Sequence, residues 1–172
     1  HGITPAFALM IGYPTETFEE INQTIDLGYR LKRENPHAEL ETMAQYTALP
    51  GTPDWHLALK HGLVPPNSLE EWANWNFDEY DLEGKKSPWY PKRERRWLGN
   101  VSYSSILANA LENVVTSAKN PWIRLGGKLI VKPAAKYFKW RLSTHRYRWM
   151  PELELVRILR ERIFYKSVKT IS

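Results

Sequence analysis

Phe7-Ala8-Leu9-Met10-Ile11-Gly12-Tyr13-Pro14-Thr15-Glu16-Thr17 and, about thirty residues on, Ala44-Gln45-Tyr46-Thr47-Ala48-Leu49-Pro50-Gly51-Thr52-Pro53 decide the fold. Phe7 to Ile11 is a short continuous apolar run of the kind a strand buried on both faces needs. It stops at Gly12, where the backbone can bend and approach a ligand. Phe18, Ile21, Ile25 and Tyr29 then recur at helical spacing. Thr17 and Glu20 form a capping-box pattern in front of them, and Asn35-Pro36 closes the segment. Leu40, Thr42, Ala44 and Tyr46 alternate with Glu41, Met43 and Gln45, predicting a second strand with Leu40, Thr42, Ala44 and Tyr46 on one face. Thr52 caps a further helix with Pro53 at its first position and Gly62 beyond its end. Ser68 and Glu71 open a short helix with Leu69, Trp72 and Trp75 on its apolar side. Strand, turn, helix, strand, turn, helix is a βαβα unit, and in parallel sheets ligands sit outside the carboxyl ends of the strands.

These motifs resemble the last strands of the partial barrel of radical S-adenosylmethionine enzymes. The similarity is to the branch associated with a cobalamin-binding domain, which includes anaerobic magnesium-protoporphyrin cyclases. There the fifth strand runs into Gly-x-Pro-Gly-Glu-Thr, matched by Gly12, Pro14, Glu16 and Thr17 with Thr15 in place of the second glycine. The sixth runs into Pro-Gly-Thr-Pro, matched by Pro50 to Pro53, and then a helix ending in Gly, a proline and Ser-Leu-Glu-Glu-Trp, matched by Gly62, Pro65 and Ser68 to Trp72. The resemblance is specific up to about residue 77 and loose beyond it. It implies an α/β fold: the last βα units of a partial TIM-like barrel, followed by a mostly α-helical basic region. It also implies an enzyme that cleaves S-adenosylmethionine at a 4Fe-4S cluster to modify or methylate an unactivated carbon, with cobalamin as a further cofactor of the branch. Ile11, Gly12, Tyr13, Glu16, Ala44, Gln45 and Tyr46 would then form cofactor wall. The family's cluster sits on three cysteines and this chain has none, so no cysteine here ligates it. With His1-Gly2 leading straight into a strand, the chain reads as the C-terminal piece of a longer protein, partnered by its N-terminal remainder.

Each of these residues also has a plainer reading. Gly12 serves a tight turn whether or not a ligand approaches it. Glu16 near the start of a helix is favoured by the macrodipole by about 0.3–1 kcal/mol. Tyr46 suits a half-buried barrel aromatic as well as a stacking or hydrogen-bonding group. His56 and His61 are five apart and so do not share a helix face as metal ligands four apart would. No phosphate loop, nucleophile elbow or zinc spacing is present in the sequence.

Charge divides the chain. Residues 1–84 carry 4 Lys and Arg against 14 Asp and Glu, a balance of −10, whereas residues 85–172 carry 20 against 5, a balance of +15. The switch at Gly84-Lys85-Lys86-Ser87-Pro88, after the acidic stretch 78–83, divides a barrel part, 1–84, from a basic, aromatic-rich helical part, 85–172. In the second part Ile106, Leu107, Ala110, Leu111, Val114, Val115 and Ala118 predict a helix from about Ser102 to Lys119. Residues 122–142 read as a basic amphipathic helix broken by Gly126-Gly127 and Pro133. A last helix follows Pro151 with Leu155, Leu159 and Ile163 toward the core.

Trp89, Tyr90, Trp97, Trp122, Trp140, Tyr147 and Trp149, interleaved with arginines and lysines, allow three readings: packing on the acidic half, contact with anionic lipid or a lipid-like substrate, or nucleic-acid binding. The rival to the enzyme reading is accordingly a non-catalytic basic module on an anionic membrane surface or nucleic acid, although no recognised nucleic-acid module is visible. Zero cysteines and no run of about 18 apolar residues lead to the expectation of a cytoplasmic protein, with peripheral contact at the inner membrane surface as its nearest approach to lipid.

Overall fold

The computed structural model describes residues 2–73, 75, 81–117 and 121–158, with 114–117, 121–126 and 128 described by backbone alone. The expectations placed on Asp78 to Tyr80, Ala118, Leu159 and Ile163, and on the side chains of Val114, Val115 and Trp122, lie outside the described residues. The architecture is mixed α/β with a two-stranded parallel sheet: β1 (Ala6–Ile11), α1 (Phe18–Glu34), β2 (Glu39–Gln45), α2 (Pro53–Lys60), α3 (Leu69–Ala73), α4 (Lys92–Ser117) and α5 (Pro121–Ser143). Residues 151–158 add a further helical segment.

The first βαβ unit forms as its local chemistry dictates. Thr17 accepts from the Glu20 backbone N–H at 3.3 Å, and the Glu20 carboxylate accepts from the Thr17 N–H at 2.7 Å, closing the capping box. Ile21 and Ile25 on α1 are fully buried against the sheet, and Lys32 donates to Ala38 O at the return into β2. Thr52 caps α2 by accepting from Trp55 N at 3.2 Å, with Pro53 at the first turn.

Two strand expectations change. β1 is covered on one face, so Phe7 and Leu9 are half-buried and Ile11 buried, while Ala6, Ala8 and Met10 are exposed. No described element lies over that second face. In β2 the alternation changes phase. Phe7 pairs with Leu40 but Leu9 with Met43, so β2 carries one extra residue at Glu41-Thr42. The bulge turns Met43 into the core and leaves Ala44 exposed, opposite to the simple period of two.

The helical part differs more. α4 begins at Lys92, ten residues before the expected start near Ser102. Its first turns are fixed by distant groups: a Cβ at Gly99 would lie 2.2 Å from Leu82 O, so only glycine lets the helix come this close to that chain. α5 runs unbroken through Gly126-Gly127 and Pro133. Proline removes one helical hydrogen bond, and packing along α4, which α5 follows in the opposite direction, offsets that loss. Its end is a Schellman turn in which Arg146 N donates to Arg141 O and His145 N to Leu142 O, with His145 at φ 55°. His145 Nε2 lies 3.0 Å from Asp26 Oδ1 on α1, tying that turn to the first half.

The final segment buries Leu153 and Arg157 and leaves Leu155 exposed, so its core face is offset from the expected stripe. Arg157 explains the offset. Its guanidinium reaches Glu154 Oε1 at 2.7 Å, Glu83 Oε1 at 2.9 Å, Asn100 Oδ1 at 2.8 Å and Leu82 O at 3.1 Å. The main core joins Ile11, Ile21, Ile25 and Met43 to Tyr90, Leu98, Val101, Leu142, Tyr147 and Leu153, so residues from both sides of position 84 share it.

Candidate functional site

The carboxyl end of the sheet is where the predicted residues meet. Tyr46 N donates to Ile11 O at 2.8 Å, so the chain leaving β2 is held beside the end of β1. Gly12 then turns at φ 87°, a conformation favouring glycine. Ile11, Gly12, Tyr13, Glu16, Gln45 and Tyr46 are thereby gathered. Ala44 stands on the exposed face of the sheet, one residue before them.

The Gly12 backbone is engaged on every side. Its N–H donates to Glu16 Oε2 at 2.5 Å, and Tyr13 N donates to the same oxygen at 3.1 Å. Trp89 Nε1 donates to Gly12 O at 3.2 Å, and Tyr90 Oη donates to Glu16 O at 2.6 Å and lies 3.2 Å from Tyr13 O. The space a Cβ would take is filled by Leu98 of α4, whose Cδ2 lies 2.6 Å from that position. Glu16 is therefore a loop clamp. Partial burial raises its carboxyl above the ordinary range against the lowering pull of the two N–H donors.

Beyond the clamp lies an aromatic wall. The rings of Tyr13 and Tyr46 meet edge to face at 4.8 Å, and Trp89 stands 6.0 Å from Tyr46. Trp55, Ala48, Ala58 and Leu63 complete a second apolar cluster beneath Tyr46, and Trp75 Nε1 fixes the loop by donating to Ala48 O at 2.9 Å. Hydrogen bonding to the Asp54 carboxylate pushes the Tyr13 phenol up to about 12. Burial raises Tyr46 as well. Two polar atoms here lack a partner among the described residues: Tyr46 Oη and Gln45 Oε1, although Gln45 Nε2 donates to Asp81 O at 2.9 Å. Buried oxygens without partners cost free energy, which makes these two the candidate polar contacts at this strand end.

The sequence reading missed Trp89, Tyr90, Leu98 and Asp54 as parts of this site. Trp89 and Tyr90 stand out only as members of the basic aromatic tail, whereas the structure turns both inward against the Gly12 loop. Among the described residues no group of three or more His, Cys, Asp or Glu is placed to hold a metal ion, and no helix is long and apolar enough to cross a membrane.

No protein-family model, curated protein or solved structure matches this chain.

Proposed function

We propose that the chain is the C-terminal part of a radical S-adenosylmethionine enzyme, closing one side of a partial TIM-like barrel in a cytoplasmic protein. One observation carries the reading. The parallel β1-α1-β2 unit has α1 on one face and leaves the other face, with Ala6, Ala8, Met10 and Ala44, apolar and exposed. An apolar parallel face left open, with the helix on the opposite side, is what a βα unit presents toward the inside of a barrel.

The fit to the cofactor is selective. Gly12 N–H, O and Cα are occupied by Glu16, Trp89 and Leu98, so the Gly12 backbone shapes the site without touching a ligand. Tyr13 and Tyr46 offer an aromatic surface, and Tyr46 Oη and Gln45 Oε1 offer a donor and an acceptor for an adenine or a methionine ammonium. When bound, S-adenosylmethionine supplies a 5'-deoxyadenosyl radical on reduction at the cluster, or a methyl group in the cobalamin-dependent members. Cluster ligands belong to the remainder of the polypeptide.

The test begins with the coding sequence ahead of His1. Three closely spaced cysteines, and 5'-deoxyadenosine release by the anaerobically purified whole polypeptide with a reductant, are the expected results. Tyr46→Phe in that polypeptide weakens S-adenosylmethionine binding by roughly five- to tenfold, the loss of one hydrogen bond. An upstream sequence without such cysteines refutes the proposal.

A further inference from the structure

α5 is apolar on two sides. Toward α4 it buries Ala135 and Leu142, with Phe138 packed beside them. Roughly opposite, Leu129, Ile130, Pro133, Tyr137 and Trp140 fall within about 100° of arc at 3.6 residues per turn. All five are exposed, Leu129 and Ile130 to 72% and 74%. The loop after α5 extends the same surface. Arg141 donates to Trp149 O and lies over the Tyr137 ring at 5.6 Å, Arg146 lies over Trp140 at 5.0 Å, and Trp149 is 74% exposed. A continuous run of aliphatic and aromatic side chains exposed in this way is a surface suited to being covered.

The charge around it says by what. From residue 113 to residue 151 the sequence has no Asp or Glu, and it has nine Lys and Arg. Lys132 and Lys136, both exposed, flank the apolar arc on one side, and Arg146 and Arg148 follow in the loop. Glu152, the carboxylate nearest the rings, is engaged by Tyr137 Oη at 3.0 Å and by Arg141. We propose that this face of α5 and the 146–149 loop seat the protein on an anionic lipid surface, with the helix lying in the interface plane.

The chemistry matches an interface at each level. Tyr and Trp suit the headgroup boundary, Leu129 and Ile130 reach into the acyl edge, and the lysine stems lie along the apolar arc while their ammonium groups remain at the phosphates. An apolar protein partner would use the same aliphatic residues but has no need of an acid-free helix. Nucleic acid would use the cations but has no use for Leu129 and Ile130.

Co-sedimentation of the full chain with phosphatidylcholine vesicles, with and without phosphatidylglycerol, tests the proposal. Binding is expected to the anionic vesicles alone, weakened by salt but not abolished by it. Lys132→Gln with Lys136→Gln weakens it by roughly 25-fold, about fivefold for each cation. Leu129→Ser with Ile130→Ser weakens it by roughly tenfold or more, and since both side chains are exposed the circular dichroism spectrum stays unchanged. Failure to bind anionic vesicles at low salt overturns the proposal. So does equal binding to neutral vesicles, or an unchanged affinity in the Leu129/Ile130 variant, which reduces the contact to charge alone. Displacement from vesicles by a short DNA duplex that binds the Leu129/Ile130 variant equally well assigns the surface to nucleic acid instead.

Discussion

Replacing Gly12 by alanine separates the two things a glycine can do at the end of a strand, because Leu98 already fills the space beneath it. At φ 87° an alanine meets the left-handed backbone penalty, about 1–2 kcal/mol. Its Cβ also falls 2.6 Å from Leu98 Cδ2 and 3.1 Å from Cδ1, and Leu98 is fully buried in the main core, so it yields only by changing its rotamer among packed neighbours. Overpacking of that kind adds about 1–3 kcal/mol. The sum is about 2–5 kcal/mol. Gly51 supplies the control: its φ is 83°, and a Cβ there meets nothing within 4 Å. Gly51→Ala should therefore cost the backbone term alone, about 1–2 kcal/mol, and the smaller entropy of the unfolded alanine chain is common to both. Urea unfolding followed by circular dichroism reads the difference as a shift in midpoint at constant slope. A double-mutant cycle isolates the contact. Leu98→Ala alone costs about 2–5 kcal/mol, but in its background Gly12→Ala falls to the Gly51 value, a coupling of about 1–3 kcal/mol. If Gly12→Ala and Gly51→Ala are equal, or the Gly12 and Leu98 changes simply add, Leu98 does not close the Gly12 turn and the strand end is open to a ligand.

Two other perturbations follow from the same structure. Arg157→Met removes a buried guanidinium from Glu83, Glu154, Asn100 and Leu82 O, and because both carboxylates keep partial access to water the loss should be about 2–3 kcal/mol in denaturant titration; a change below about 1 kcal/mol would mean the arginine contributes little beyond its packing. Glu16 and Glu20, on either side of the α1 N-cap, titrate in opposite senses. Hydrogen bonds from Thr17 hold Glu20 below its ordinary value, so its contribution is present above the unfolded pKa and lost as pH falls through the lowered one. Burial raises Glu16, so its effect favours the fold as pH falls from the raised value through the unfolded one. Glu20→Gln should flatten the acid limb of the stability profile and Glu16→Gln should steepen it; parallel profiles would contradict both assignments.

The sequence made the βαβ unit legible because its signals are local. Thr17 and Glu20 bond each other across one helical turn, and Thr52 caps the helix that starts beside it. The same short range explains the failures. The start of α4 carries Lys92-Arg93-Glu94-Arg95-Arg96, with no apolar period, and what holds it is Leu98 beneath Gly12 and Gly99 against Leu82. An extra residue at Glu41-Thr42 leaves no mark on an alternating pattern, yet it reverses which of Met43 and Ala44 is buried. At the site, Ile11, Gly12, Tyr13, Glu16, Gln45 and Tyr46 were legible as a group from the two turns. The roles within the group were not, because Trp89, Tyr90 and Leu98 reach the Gly12–Glu16 loop from more than seventy residues away in the chain.

A two-stranded sheet ordinarily offers two unfinished ladders, one along each outer strand. Here α4 lies along β2, where Ser105 Oγ accepts from Met43 N at 2.9 Å and Asn109 Nδ2 donates to Leu40 O at 3.1 Å. Hydroxyl and amide side chains thus stand where a third strand's backbone would be, while beside β1 no described strand is paired. The sheet has a direction of growth. A strand arriving from elsewhere is turned away at β2 by a helix that already satisfies its backbone, and finds matching donors and acceptors at β1. Side chains on a helix thereby cap the outer edge of β2 at Leu40 and Met43 and leave β1 as the edge along which this sheet can extend.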